Sequence, residues 1–258
     1  MTAIMTVLAG AFGLAVGSFL NVCIDRLPRG ESIATGRSHC DGCSRQLSAR
    51  ELVPVISYLV RKGRCSSCGA QIPRRVPFVE TATGLAFAGM YYAYGPTGTF
   101  LLLAAYATIL IVVFVIDLEH GLILNKVVVP ALALALAVAT IVPPQWLGTI
   151  GPHPIVSALI GAGTGFLFLF LVALASRGGM GWGDVKFAAF MGAATGFPLI
   201  MVALFGGVVI GGVTGIVLLV LRRKGRKETI PFGPFLAVGT MIALLWGQTI
   251  LRWYIGML

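Results

Sequence analysis

Long runs of apolar residues recur along the chain, separated by short polar or glycine-rich segments. Apolar runs of about 18 or more residues predict membrane-spanning helices. We predict about eight such spans. They cover residues 2–22, 77–95, 98–116, 127–142, 154–175, 185–197, 199–221 and 230–250, and the fourth and sixth are short.

One polar segment interrupts this pattern. Residues 23–76 are rich in Arg, Cys, Gly and Ser and are too polar to enter a membrane. The pattern therefore predicts an all-α polytopic membrane protein in three parts: a first transmembrane helix at 1–22, a small cytosolic domain at 23–76 and a membrane domain at 77–258. A soluble part of that size usually needs a metal or disulfides to be stable.

The distribution of basic residues predicts the orientation of the spans. If the first helix runs inward, the inner segments are 23–76, 117–126, 176–186 and 222–229, and they hold 10, 1, 2 and 5 Lys or Arg residues. Only Arg252 of the 19 lies elsewhere. Because basic loops are retained on the cytoplasmic side, these segments are expected to face the cytoplasm of a bacterial inner membrane.

The net charge of +10 raises the question of which partner the basic residues meet. Residues 222–228, "RRKGRKE", directly follow a predicted span, which favours contact with anionic lipid headgroups. No aromatic residues alternate with the basic ones, as they would in many nucleic-acid-binding segments. We therefore expect lipid, and no nucleic acid, as the partner of this segment.

Two C-x2-C pairs lie in the polar segment and predict a metal site. Their thiols are those of Cys40, Cys43, Cys65 and Cys68, and the spacing resembles that of a zinc ribbon. Four thiolates complete a closed tetrahedron around a structural Zn²⁺. Two disulfides are the alternative, which a reducing cytosolic location disfavours.

Carboxylates are rare in this chain, and two of them lie at ends of predicted spans. Asp117 closes the third span, and Asp184 opens the sixth after Gly181 and Gly183. Both are predicted at the cytoplasmic ends, so they can share a depth. Two such carboxylates in a low-dielectric site would hold a single proton between them. This is the acid/base arrangement of an aspartic protease, and the glycines would let the backbone approach a substrate peptide.

Simpler interpretations of these carboxylates remain open. An aspartate in the first turn of a helix is a common cap and dipole partner, which would explain Asp184 alone. Asp117 could pair with Lys126 or Lys186. Glu80, at the start of the second span, could pair with Arg74 or Arg75, or extend toward the interface.

Six collinear motifs together resemble the type IV prepilin peptidases, aspartic proteases of the Gly-x-Gly-Asp class. They are "GSFLNVCIDRLPRGESI" at 17–33, the two C-x2-C pairs, "ELVPVISYL" at 51–59, "IDLEH" at 116–120, "GMGWGDVK" at 179–186 and "IPFGPFLAVG" at 230–239. One departure is Asn125 in "LILNK", where many members carry a Leu-Pro-Asp type segment. It leaves Asp117 untouched.

The resemblance implies an activity and a set of site residues. It implies removal of the short basic leader of prepilins or pseudopilins at the cytoplasmic membrane face, with Asp117 and Asp184 as the catalytic pair. Because the cysteine segment is present, it also implies N-methylation of the new terminus with S-adenosylmethionine. By family position alone, Arg26 and Glu80 are candidates for binding the methyl donor.

Two other functions remain as alternatives. A proton-coupled transporter also uses membrane carboxylates, although its sites usually lie near the midplane and in repeated halves. A catalytically inactive scaffold for pilus assembly would tolerate loss of either aspartate.

Overall fold

The computed structural model of the chain describes residues 2–141, 153–176, 179–221 and 230–256. Regular structure in these ranges is helical, which confirms the all-α prediction. The helices are α1 (Thr2–Arg29), α2 (Ile56–Val60), α3 (Arg75–Tyr94), α4 (Gly98–His120), α5 (Asn125–Ile141), α6 (Pro154–Ala175), α7 (Trp182–Thr195), α8 (Leu199–Val220) and α9 (Gly233–Ile255), with a 3-10 turn at Ala49–Glu51. The basic segment 222–228 lies outside the described residues, so its contact with lipid stays a prediction.

Five of these helices are long and apolar enough to cross a membrane, namely α1, α4, α6, α8 and α9. Helix α5 is apolar but shorter. The chain is therefore a multi-pass membrane protein, and the full count of eight spans stays a prediction.

The chain divides into two compact units, and the boundary along the sequence falls within α4, between Val112 and Val113. In the first unit α1 packs along α3. Gly13 and Gly17 permit this approach, because an added Cβ would lie 2.7 Å from the Cβ of Phe87 and from the Cα of Glu80, respectively. Small residues at such contacts let membrane helices pack closely. The predicted three-part division remains a prediction, and α1 itself continues to Arg29.

In the second unit the short helix α7 is enclosed by other helices. It contacts α5, α6, α8 and α9, and apart from Lys186 every residue from Val185 to Thr195 is buried. A helix that is apolar on all sides belongs inside a protein or a bilayer. Protein neighbours surround α7, which explains how a helix of 14 residues can be apolar without the length to span lipid.

Helix α6 meets α7 at two glycines. A Cβ on Gly161 would overlap the backbone of Gly192, and one on Gly165 would overlap the carbonyl of Ala188. The backbones of the two helices therefore lie in direct contact, and this contact holds α7, and with it Asp184, in place.

We expect Gly161→Ala to lower the free energy of unfolding by about 1–3 kcal/mol, because overpacking at a tight contact forces the backbones apart. Gly163→Ala is the matched control on the same helix, since a Cβ there meets no atom within 4 Å among the described residues. The measurement is the thermal unfolding midpoint of each variant in detergent. Equal midpoints for the two variants would contradict the close α6–α7 contact.

Candidate functional site

Asp117 lies in the last turn of α4 and is only 4% exposed. The helix ends because Gly121 takes φ +64°, and the Gly121 N–H still donates to the Asp117 carbonyl at 2.8 Å. A glycine in the left-handed region is a common way to close a helix. On the side chain, Oδ2 accepts a hydrogen bond of 2.9 Å from the backbone N–H of Gly233.

Asp184 lies in the first turn of α7, after the extended residue Gly181. An anion at this position is stabilised by the helix dipole. Its charge interacts with that of Asp117, so the fold brings together the two aspartates that the sequence singled out. Asp184 Oδ1 is buried and accepts no hydrogen bond from any residue that the structure describes. A helix cap alone does not account for an acceptor left in this state.

Glycines remove the side chains that would otherwise fill the space around the aspartates. An added Cβ on Gly233 would lie 2.6 Å from Asp117 Oδ2, and one on Gly183 would lie 2.7 Å from Ile123 Cβ. A Cβ on Gly181 would lie 3.4 Å from Asp184 Oδ2. Backbone therefore approaches both carboxylates. The predicted approach of a substrate peptide to these glycines stays a prediction.

Gly233 is a site residue that our sequence reasoning did not single out. It is the first residue of α9, so its N–H has no partner within the helix and is free to bind an anion. The signal lay in the motif at 230–239, where Pro234 marks a helix start. Nothing in that motif indicated that its N–H would meet a carboxylate 116 positions earlier.

We expect Gly233→Ala to reduce leader cleavage, if the aspartates are catalytic, by about tenfold to a hundredfold, since small displacements in an active site are costly. The added Cβ would overlap Asp117 Oδ2 and displace the carboxylate. Gly212→Ala is the control, because it lies on a helix with no atom within 4 Å of its Cβ among the described residues. Wild-type cleavage rates in both variants would show that the Gly233 contact is dispensable.

The lysines that were predicted as possible partners of Asp117 do not pair with it. No ion pair within the described residues involves Asp117. Lys186 donates a hydrogen bond of 3.1 Å to Asn125 Oδ1 at the start of α5. Pairing of Asp117 with a lysine was therefore wrong. The departure at Asn125 gives Lys186 an uncharged acceptor that links α5 to α7.

The four cysteines of the C-x2-C pairs come together in the first unit as free thiols. Their sulfur atoms lie within 4.8 Å of one another, and Cys40 Sγ is 3.7 Å from Cys68 Sγ. Four sulfurs at about 2.3 Å from one ion form a tetrahedron with edges of about 3.8 Å. The cluster could therefore hold a metal ion. The alternative of two disulfides is wrong, because the four thiols are free.

Both C-x2-C turns have the same backbone pattern. The N–H of Cys40 donates to the Arg45 carbonyl and that of Cys65 to the Ala70 carbonyl, each across an isolated bridge. The residue after each second cysteine has a positive φ, at Ser44 and Gly69. This repetition aims two pairs of thiols at one point.

The electrostatics of the cluster favour a cation. Backbone N–H groups of Cys68 and Ser67 lower the pKa of Cys65 to about 6. The Ala70 N–H also favours the Cys68 thiolate, yet the neighbouring sulfurs of Cys43 and Cys65 raise the pKa of Cys68 to about 11. Four thiolates in this space thus require a positive ion among them.

A carboxylate absent from our sequence predictions ties the two turns together. The side chain of Glu51 is 4% exposed and pairs with Arg45 at 2.5 Å and with Arg61. It also accepts hydrogen bonds from Ser48 N–H at 2.8 Å and Ser66 Oγ at 2.9 Å. Hydrogen bonds from Arg45 and Ser48 hold the pKa of Glu51 well below its usual range. Glu51 therefore stays ionised and fixes the second cysteine turn against the first.

The two methyl-donor candidates have different surroundings. Arg26 donates to the carbonyls of Ser32 and Thr35, at 3.0 and 2.7 Å, which fixes the chain after α1. Glu80 is 4% exposed and accepts the Val55 N–H at 2.7 Å.

Both expectations for Glu80 were therefore wrong. It does not extend to the interface. Arg75 pairs instead with Asp25 at 2.6 Å, and no ion pair to Glu80 occurs in the described ranges.

Comparison with known proteins connects these sites to a family. The Bacterial Peptidase A24 N-terminal domain matches residues 11–94, and the Type IV leader peptidase family matches residues 104–216. The first match contains the cysteine cluster and the second contains both aspartates. No solved structure matches the chain.

Relatives with the name prepilin leader peptidase/N-methyltransferase match along nearly the full length. The protein of Bacillus subtilis is 34% identical over 95% of this chain and 96% of its own. Those of Pseudomonas aeruginosa and Aeromonas salmonicida are 33% and 32% identical, over 94% and 95% of this chain and 91% of each relative. The comparisons give no support to a transporter. From these identities and the two matched domains, the chain belongs to the type IV leader peptidase family.

Proposed function

We propose that this protein removes the short basic leader of prepilins or pseudopilins by hydrolysis of a peptide bond and then methylates the new N-terminal amine. The observation that carries the hydrolytic part is the proximity of Asp117 and Asp184, two carboxylates whose charges interact and which glycine backbone at Gly233 and Gly181 approaches. Family membership supplies the class of substrate.

The proposed mechanism assigns complementary roles to the two carboxylates. Two carboxylates that interact in a low-dielectric site share one proton, so one group is ionised and the other protonated. The ionised carboxylate takes a proton from water as the water attacks the carbonyl carbon. The protonated one donates a hydrogen bond to the carbonyl oxygen, and a proton then passes to the leaving amine.

The surrounding groups support these roles. The Gly233 N–H fixes the orientation of Asp117 through Oδ2. Asp184 Oδ1, without a donor among the described residues, is the acceptor available to a water or a substrate amide. Gly181 exposes backbone beside Asp184, which would let an extended peptide approach closely, whereas Ile123 occupies the space beside Gly183.

Zinc is the metal we propose for Cys40, Cys43, Cys65 and Cys68. Four sulfur ligands suit Zn²⁺ and leave no open position, so the ion would have a structural role. The hydrogen bonds from backbone N–H groups to the sulfurs would complete the ligand environment.

S-adenosylmethionine is the proposed methyl donor, since relatives carry the name N-methyltransferase. When bound, it would supply an electrophilic methyl group. The uncharged terminal amine would take this methyl group and lose a proton, and the S–CH3 bond would break to release S-adenosylhomocysteine.

We further propose that the protein lies in the bacterial inner membrane with its aspartates facing the cytoplasm. The excess of Lys and Arg in the segments assigned to the inside supports this orientation. Anionic lipid headgroups would be the partner of the basic segments, and no role for nucleic acid is proposed.

The test uses purified full-length protein in detergent, a prepilin substrate and intact-mass analysis. We expect loss of the leader without S-adenosylmethionine, and a further mass increase of one methylene unit when it is added. A substrate that keeps its leader would contradict the peptidase. A trimmed product whose mass is unchanged by S-adenosylmethionine would contradict the methyltransferase alone.

A further inference from the structure

A cavity of about 230 Å³ opens in the first unit between the end of α1, the cysteine segment and the start of α3. One water needs only about 10–15 Å³ of such volume, so the cavity has room for a small organic molecule. Its apolar walls include Val22, Leu47 and Ile72, and Tyr58 adds an aromatic ring. The candidate peptidase residues lie in the second unit and do not line it.

Glu80 places a buried carboxylate in the wall of this cavity. It accepts a hydrogen bond from the Val55 N–H at 2.7 Å. An ionised carboxylate can accept about four hydrogen bonds, so acceptor capacity remains. A buried charge without a cationic partner is costly, and no ion pair to Glu80 occurs in the described parts of the chain.

The backbone of Val55, which donates to Glu80, adopts a strained conformation. Its φ of +60° and ψ of −49° lie far from the usual regions for a β-branched residue. Such strain is retained where the surroundings over-determine it, and it concentrates at functional sites. The conformation directs the Val55 N–H at the Glu80 carboxylate.

Asn21 adds a second buried acceptor to the wall. Its Nδ2 donates hydrogen bonds to the carbonyls of Gly17 at 3.3 Å and Val76 at 3.1 Å. These two bonds use the amide nitrogen and leave the amide oxygen, Oδ1, as the acceptor. Asn21 is 6% exposed, and among the residues that the structure describes none donates to Oδ1. Buried polar atoms normally have a partner, so this atom indicates a missing donor or cation.

From these observations we infer that the cavity is the binding site for S-adenosylmethionine, with the carboxylate of Glu80 and Oδ1 of Asn21 receiving its positively charged part. The inference rests on the methyltransferase activity proposed above and assigns it a place. The sulfonium and ammonium groups of the donor would be the cationic partners of these two acceptors. The apolar and aromatic walls suit its nucleoside.

The inference also separates the two candidate residues. Arg26 is committed to backbone carbonyls and shapes the edge of the cavity. Glu80 is the residue that would contact the ligand.

The test measures binding rather than turnover, by calorimetric titration of S-adenosylmethionine into the metal-loaded full-length protein in detergent. We expect Glu80→Gln to weaken binding by about tenfold or more, because it removes a buried charge opposite a cation. Glu119→Gln, at an exposed carboxylate in the other unit, is the matched control and should bind as the wild type does. Metal content and the unfolding midpoint verify that each variant is folded.

A second variant covers the case in which Glu80→Gln fails to fold. Leu52 lines the cavity and is 42% exposed, so Leu52→Trp should fold while occupying the space of the ligand. Weakened binding in Leu52→Trp would support the site. If Glu80→Gln folds and binds S-adenosylmethionine with unchanged affinity, the proposed site is wrong. If Glu80→Gln does not fold, unchanged affinity in Leu52→Trp leads to the same conclusion. In either case, methylation by the wild type would show that the methyltransferase function itself still holds. A wild type that neither binds S-adenosylmethionine nor methylates would refute the methyltransferase function itself.

Discussion

Replacing Asp117 or Asp184 with Asn is expected to slow leader cleavage by about 10²–10⁴-fold, the usual contribution of a positioned general acid or base. Each change keeps the size of the side chain and removes its ability to carry the proton. The Gly233 N–H can still donate to the amide oxygen at position 117, so the fold should survive. The rate is measured by intact mass on a prepilin.

The double variant makes the assignment sharper. Because the two groups act as one unit, Asp117→Asn with Asp184→Asn should cost about as much as either single change. Glu119→Gln, two positions after Asp117 on an exposed part of the chain, is the control and should cleave normally. Rapid cleavage by a folded single variant would rule out the aspartyl mechanism and leave Asp184 as a helix cap.

Loss of the metal is expected to unfold the cysteine segment. Structural zinc contributes about 10–16 kcal/mol of apparent binding free energy in small domains, whereas a whole domain is usually stable by about 5–15 kcal/mol. Cys65→Ser removes one ligand and leaves an open tetrahedron. We expect the variant to lose its metal and to be cut rapidly by protease within residues 23–76.

Cys23→Ala is the matched control for the metal site. Cys23 is buried in α1 and is not part of the cysteine cluster. This variant should keep one metal ion per chain, measured by elemental analysis, and should resist protease as the wild type does. If Cys65→Ser retains metal and protease resistance, the four-thiol site is not what stabilises this segment.

The local features of both sites could be read from the sequence. Two cysteines separated by two residues share a turn, so their thiols must point in similar directions. A carboxylate beside glycines at the end of an apolar run marks a residue that costs free energy to keep in a membrane. These signals depend on neighbours within a few positions, which is why they were available before the fold was known.

The contacts around those residues depend on distant parts of the chain. The Gly233 N–H bonds to Asp117, and the Val55 N–H bonds to Glu80. Nothing local distinguishes these N–H groups from other unpaired ones at helix starts and turns. The pairing of Asp117 with a lysine failed for the same reason, since Lys186 meets Asn125 across two helices instead.

The long apolar runs by themselves indicated that this chain is helical and enters a membrane, because a helix of that length pairs its backbone groups within its own segment when it lies in lipid. It did not determine what surrounds each helix. Lipid and a protein interior are both apolar, so composition alone does not say which one surrounds α7, although its 14 residues are too few to span lipid. The tertiary structure decided that α7 lies among other helices, with Gly161 and Gly165 admitting its backbone. That packing positions Asp184 where its charge meets that of Asp117.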